Sequence, residues 1–311
     1  MQTAHAGSAS PQAGEDRWVP SLGITAGFTF QGEHKGTGAS FTRDLNDVNS
    51  TFTALRDPVA GDDTVVSPFV GGTFELMSPA LPIPTRPRIF IGGEILPTFA
   101  PGRDLGVQGD PGCVRGPEPK QPCAVDEVFR RQPFFEDAAN GTGTVIESRV
   151  GTMTYGAHIG VSFPFEFADR QFRIKPSVGW INFKVSTHGL IVDAACSPVG
   201  CTDFTLIVGS PPTIGFLRET RLSVRDSQHF NGVGPGLDLE MDTGQYGPVG
   251  VSLFIGGRAY LILDDRKIFS QTGLIISDQL GNDEVRGRFE VEIDKWMYRA
   301  HVGMRFQFIG F

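Results

Sequence analysis

Residues 296–311 read WMYRAHVGMRFQFIGF, and their alternation decides the fold. Trp296, Tyr298, Ala300, Val302, Met304, Phe306 and Phe308 fall on one face, and Met297, Arg299, His301, Gly303, Arg305 and Gln307 on the other. A period of two is the side-chain period of a β-strand. A strand this long, apolar on one side and charged on the other, suits an outer surface in lipid and an inner surface in a polar lumen.

The pattern recurs upstream in seven further segments, 18–31, 64–77, 88–99, 144–165, 172–186, 218–241 and 249–264, which with 288–311 makes eight strands. In 18–31 Leu22, Ile24, Phe28 and Phe30 oppose Ser21, Thr25, Thr29 and Gln31; in 249–264 Val251, Leu253, Ile255 and Leu261 oppose Ser252, Arg258 and Tyr260. In 172–186 the pattern flips at Ile181, which marks the strand leaving the membrane. The connections alternate between long (32–63, 100–143, 187–217, 265–287) and short (78–87, 166–171, 242–248). Pro68, Pro97, Pro164, Pro176 and Pro235 fall inside these strands, and because each lacks a ladder donor, bulges or strand ends are expected there.

With its terminal aromatic residue, 296–311 resembles the C-terminal strand of bacterial outer-membrane β-barrels, whose last aromatic is read by the assembly machinery. Phe311 lies one residue out of step with the apolar face, and a bulge at Ile309–Gly310 would restore the register. The resemblance implies an all-β fold: a transmembrane up-and-down antiparallel β-barrel of eight strands with long extracellular loops, resident in the bacterial outer membrane. Its expected partners are outer-membrane lipids and lipopolysaccharide, with a protein partner or a second copy of the chain at the loops. An even strand number puts both termini in the periplasm. Trp18, Phe163, Phe165, Phe167, Phe172, Tyr246, Phe308 and Phe311 then form the inner aromatic girdle and Tyr155, Trp180 and Trp296 the outer one.

Composition narrows the choice. Forty glycines and 25 phenylalanines in 311 residues point to many strands and tight turns. No apolar run reaches the ~18 residues of a spanning helix. A net charge of -8 argues against a nucleic-acid partner. Residues 1–17, with the Ala4-His5-Ala6 triplet that ends some secretory leaders, read as a disordered leader, and 18–311 as a single barrel domain. The competing all-β reading is a secreted sandwich or lipocalin-like barrel, in which the apolar face is the core.

The inward faces collect Glu75, Glu94, His158, Arg173, Lys175, Asp238, Glu240, Arg258, Tyr260, Arg299, His301 and Arg305, with Arg88 near one end. Eight strands leave an interior that side chains fill, so these charges are expected to pair. Position along the strands groups Asp238, Glu240, Glu75, Arg173, Lys175 and Arg305 in the periplasmic half, and Glu94, Arg258, Arg299, His301 and His158 in the middle. No metal or cofactor is expected, because no tight ligand spacing surrounds the histidines.

All four cysteines fall in the long connections, and proximity pairs Cys113 with Cys123 and Cys196 with Cys201 as disulfides. Asp44, Asn46, Asp47, Asn49, Asp62 and Asp63 offer Ca²⁺-type oxygens without a full loop signature. Rim hydrolases of the omptin and lipid A deacylase kinds share the expected architecture, and the candidates here are His229, Asp226 and Ser227. The sequence therefore reads as a nonenzymatic barrel with a plugged polar lumen that presents large loops. A narrow channel or transporter for small solutes and a rim hydrolase are the alternatives.

Overall fold

Alternating sequence of this kind forms long antiparallel ladders, and the computed structural model describes them for residues 16–54, 59–99, 103–109, 143–196, 216–278 and 281–309. The strands are β1 (Val19–Asp44), β2 (Thr53–Ala54), β3 (Val59–Met77), β4 (Arg88–Pro97), β5 (Arg103–Gly109), β6 (Gly143–Phe167), β7 (Arg170–Cys196), β8 (Phe216–Tyr246), β9 (Val249–Ile262), β10 (Lys267–Asp278), β11 (Gly281–Glu292) and β12 (Trp296–Phe308). Eight of them form a ring in chain order, β1–β3–β4–β6–β7–β8–β9–β12, every pairing antiparallel, although the strands are not disposed evenly about an axis. The ring closes where β12 pairs with β1, from Ser21 opposite Gln307 to Phe30 opposite Tyr298.

One end of the ring carries tight turns. Ala168 and Asp169 (φ 51° and 58°) form a two-residue turn between β6 and β7, and Gly247 (φ 62°) turns the chain from β8 into β9. At the other end the strands run on far beyond the expected boundaries. Segments 32–44, 59–63, 187–196 and most of 265–287, expected as loops, are strand. The β10–β11 hairpin pairs with the far half of β1, from Lys35 opposite Glu292 to Asp44 opposite Asp283. The ring thus has a turn-side half and an extension. The expectation failed because strand was assigned where the outward residues are apolar, and in the extension the inward residues are.

Side-chain burial shows this inversion. On the turn-side half Leu22, Ile24, Phe28, Ile91, Ile95, Ile159, Val178, Leu237, Ile255 and Val302 face out and are exposed, while Thr25, Glu75, Lys175, Asp238 and Arg299 face in and are buried. In the extension the inside is mainly apolar, with buried polar residues such as His34 and Ser148 among the apolar ones. Ile181, Phe183, Val185, Phe230, Tyr260, Ile262, Ile268, Ile293 and Met297 pack as one cluster. Ile146, Leu222, Val285, Phe289 and Val291 pack as a second. A small cluster of Val19, Met77 and Phe90 closes the turn end.

The ladders are irregular where the halves meet. β1 shifts register between Phe30 and Glu33, with Gly32 at φ 70°; β6 shifts between Val150 and Thr154; and β4 ends at Pro97. The chain also breaks between β9 and β10 and between β11 and β12. The bulge in β1 has a clear effect: inward residues are odd-numbered before it (Thr25, Thr29, Gln31) and even-numbered after it (His34, Ser40). The prolines behave differently from expectation. Pro68, Pro164, Pro176 and Pro235 stand inside strands with no register shift, and Pro97 alone closes a strand. The leader to residue 15, Phe311 with the proposed terminal bulge, and Cys113, Cys123 and Cys201 lie outside the described residues; Cys196 ends β7.

Candidate functional site

Period-two alternation on β3, β4, β6, β7, β8, β9 and β12 aims the charged residues at one interior, where they pair in two tiers. In the tier nearer the turns, Lys175 Nζ contacts Glu75 and lies 3.1 Å from Glu240 Oε2. Arg305 binds Glu240 and reaches Glu75 Oε2 at 3.3 Å; Arg173 binds Asp242 and reaches Glu240 Oε1 at 3.1 Å. Glu240 Oε1 also accepts from Ser252 Oγ at 2.7 Å and from Gln307 Nε2 at 2.8 Å. Lys175 and Glu240 are wholly buried, with 0% side-chain exposure each. Rings complete the packing: Phe90 lies 4.5 Å from Lys175 Nζ and Phe254 4.6 Å from Arg305 Cζ.

In the second tier Glu94 binds Arg299 and lies 3.3 Å from Arg258 Nη1. Arg258 Nη2 is 3.4 Å from Asp238 Oδ2, whose other oxygen accepts from His301 Nε2 at 3.0 Å. Arg299 donates to the Tyr260 hydroxyl at 2.9 Å. Arg258 Nη1 approaches His158 Nδ1 at 3.2 Å, and because a guanidinium only donates, that nitrogen accepts. In each tier fixed positive and negative charges match, which is the condition under which charge is tolerated inside a narrow ring.

The glycines make room for these side chains. Gly156 faces Glu94 across the ladder, Gly92 faces His158, and Gly256 faces Asp238. A Cβ at Gly156 would overlap Glu94 Oε1, and one at Gly256 would overlap Asp238 Oδ1. Interior rings follow the same rule, Phe69 lying opposite Gly27, Phe90 opposite Gly160 and Phe254 opposite Gly303. At these positions a large inward side chain lies across from a glycine, which helps to fill a ring of eight, whereas Arg299 faces Arg258 and Arg173 faces Glu240 directly.

The structure brings the expected interior residues together with one regrouping. Asp238 bonds Arg258 and His301 and so belongs to the middle tier, since its carboxylate leans away from Lys175 toward β9 and β12. Arg88 instead donates to the Ser78 and Arg17 carbonyls at the turn end. Asp242 was missed because 242–248 read as a turn; its signal was the continued spacing Asp238, Glu240, Asp242.

The other candidates do not assemble. His229 Nδ1 bonds Asn182 Oδ1 at 3.2 Å, the Asp226 carboxylate accepts from the Ser227 amide at 2.7 Å, and Asp226 points to the opposite side of β8 from Ser227 and His229. Asp44 and Asp47 accept from the backbone amides of Asn46 and Asn49 at 2.8 and 2.9 Å, which are ordinary turn contacts. Among the described residues no group of three or more His, Cys, Asp or Glu side chains is placed to hold a metal ion.

No protein-family model and no curated protein matches the sequence. The fold is similar to solved structures of outer-membrane β-barrel proteins. One is the outer-membrane protease OmpT from Escherichia coli, at 10% identity over 92% of this chain and 97% of that chain, with a TM-score of 0.30. Another is a Pseudomonas aeruginosa FadL homologue, at 8% identity over 94% and 91%, with a TM-score of 0.17. A third is the Pseudomonas putida toluene transporter TodX, at 6% identity over 88% and 89%, with a TM-score of 0.14. Likeness at this level carries no assignment of activity.

Proposed function

We propose that the ring is an up-and-down barrel spanning a bacterial outer membrane, that its turn-side half is the part in lipid, and that it works as a nonenzymatic, non-conducting support. On this reading the extension stands outside the cell and presents its end to a partner protein, a second copy or the envelope. The observation that carries it is the exposed apolar belt on the outward face of the turn-side half of the eight ring strands; outside that ring, on β10, Phe269, Leu274 and Ile275 are exposed as well. Phe30, Tyr155, Trp180, Leu263 and Trp296 stand at its upper edge, and Lys35, Lys184, His229 and Lys267 lie just beyond. From Trp18 to Phe30 is about 40 Å along a strand and about 30 Å along the axis after a tilt of about 40°, the thickness of a bilayer core. Trp18, Phe163, Phe165, Phe167 and Tyr246 are exposed at the lower edge, as a second aromatic girdle requires.

The paired interior supports closure. An ion crossing it must displace buried pairs, each of which is costly to break. Planar-bilayer recording of the purified protein tests this, with almost no steady conductance expected. A large stable conductance would establish the channel reading in its place.

A further inference from the structure

We infer that the free edge of β10 takes up an extended segment of a partner protein as an added β-strand. Its placement outside the cell rests on the membrane-spanning reading above; the edge itself does not. From Lys267 to Asp278 β10 pairs with β11 alone. β8 runs alongside it, but between Phe216 and Phe230 β8 pairs only with β7, and its ladder to β9 begins at Gly232. Contacts at the near end hold the two together: the Leu263 amide donates to the Asn231 carbonyl at 2.9 Å, and Gln228 Nε2 to the Asp265 carbonyl at 3.2 Å. Past that point no ladder joins β8 to β10 among the described residues. Every second residue of a strand turns its N–H and C=O to one side, so β10 presents a row of backbone groups with no ladder partner along this edge.

The strand carries none of the usual protection of an edge. Residues 268–277 read IFSQTGLIIS, without a charge or a proline, whereas the facing part of β8, 216–230, holds Arg218, Glu219, Arg221, Arg225 and Asp226. Exposed edges are ordinarily blunted by lysine, proline or inward charges, because an unblunted one is a template for another strand. Exposure rises along the inward side of β10, from Ile268 at 2% and Ser270 at 9% to Leu274 at 45%, so the far half of the strand is uncovered on its inner side as well. Phe269 and Ile275 are exposed on the outward side. Among the described residues of the extension, these three share the class of exposed large apolar side chains only with Val48, in the turn after β1.

A free edge and an exposed apolar surface thus coincide on one strand, and together they define what fits. A row of N–H and C=O groups spaced as in a β-strand is matched in full by another extended backbone. Apolar side chains on both of its faces, Leu274 inward and Phe269 and Ile275 outward, call for β-branched or aromatic neighbours on both faces of the incoming strand. The partner is therefore an extended segment rich in valine, isoleucine or phenylalanine. Backbone bonds give it affinity and the cross-strand pairs give it register.

The test uses the full purified chain in detergent and a short fluorescent peptide of alternating valine and threonine. Hydrogen exchange read by residue should show amides at every second position from Phe269 to Ile275 exchanging freely, and slowing by about tenfold or more when the peptide is present. The same peptide with alternate backbone nitrogens methylated, which removes donors and leaves the side chains alone, should bind about tenfold or more weakly. Phe269→Lys with Ile275→Lys gives the edge the protection it lacks and should weaken the unmodified peptide by a similar factor, whereas Val48→Lys should leave binding unchanged. Full protection of these amides before peptide is added would overturn the assignment, as would equal binding of the methylated peptide. A wild-type dimer dispersed by the peptide would overturn the separate partner in favour of a second copy. The fluorescent peptide is offered in parallel to intact cells producing the protein, where labelling is expected. Labelling only after the outer membrane is permeabilised removes the outward placement and keeps the edge, and no binding to the purified chain removes the edge alone.

Discussion

β7 carries two opposite chemistries in one unbroken strand. Toward the turns its outward residues are Ile174, Val178 and Trp180, and Lys175 and Ser177 point inward; past Ile181 the outward residues are Asn182, Lys184 and Ser186, and Ile181, Phe183 and Val185 point inward. The backbone ladder to β8 runs through both without interruption, from Phe172 opposite Met241 to Ala195 opposite Arg218. Backbone hydrogen bonding therefore does not set sidedness; what surrounds each level does. In the extension burial of apolar side chains drives assembly in the ordinary way. In the turn-side half the inside at the level of the ion pairs is mainly polar, with single rings such as Phe90 and Phe254 between the pairs, and specificity has to come from those pairs and from fit.

The largest expected effect breaks the turn-side half from within. Glu240→Gln leaves Lys175, Arg173 and Arg305 facing only Glu75 and Asp242, at a cost of about 3–5 kcal/mol. Heat-modifiable migration of the folded form in detergent should be lost at clearly lower temperature. An unchanged transition would mean the network is dispensable.

The outer surfaces separate the halves next. Val302→Arg puts a cation in the middle of the exposed belt and should cost about 2–4 kcal/mol in bilayers, whereas Ser186→Arg, outward on the extension, should stay within about 0.5 kcal/mol. Denaturant titration in lipid vesicles reads both. Equal effects would erase the distinction between the two surfaces.

The extension has its own pH response. His34 is wholly buried against Ser148 Oγ at 2.8 Å, and burial pushes its imidazole down from 6.5 to about 4. Above pH 6.5 folded and unfolded chains are both neutral there. Between 6.5 and about 4 only the unfolded chain takes up the proton, so stability falls through that window by up to about 3 kcal/mol. Limited proteolysis of the extension should accelerate as pH drops through it, and His34→Gln should flatten the profile.

The smallest effect probes fit. Gly256→Ala collides with Asp238 and should cost about 1–3 kcal/mol, whereas Gly72, whose nearest neighbour to an added Cβ is 4.0 Å away, should accept alanine without loss. The same thermal migration assay compares them.

How much of this is legible in the sequence follows from the same division. Eight ring strands, their faces and the inward charges could be read because an exposed apolar side and a buried polar side give an unusual alternation over residues such as Leu253, Ile255 and Arg258. The extension was lost because its alternation, Phe183 and Val185 in with Lys184 and Ser186 out, is that of any water-facing sheet and shows no feature that tells strand from loop. The register change at Gly32 was invisible for another reason: one inserted residue alters parity without altering composition. Which acid pairs with which base also escaped, as with Asp238, because lateral neighbours in a ring depend on stagger between strands.

The position of β12 has a consequence for the order in which the molecule can form. The two tiers hold five acids, Glu75, Glu94, Asp238, Glu240 and Asp242, and five fixed bases, Arg173, Lys175, Arg258, Arg299 and Arg305. Two of those bases, Arg299 and Arg305, arrive only with the last strand. An intermediate holding every earlier strand is left with two surplus carboxylates, and the strand that seals the seam against β1 is also the one that neutralises them. Without Trp296–Phe308 the chain therefore has neither the strand that pairs with β1 nor the two bases that balance the buried acids.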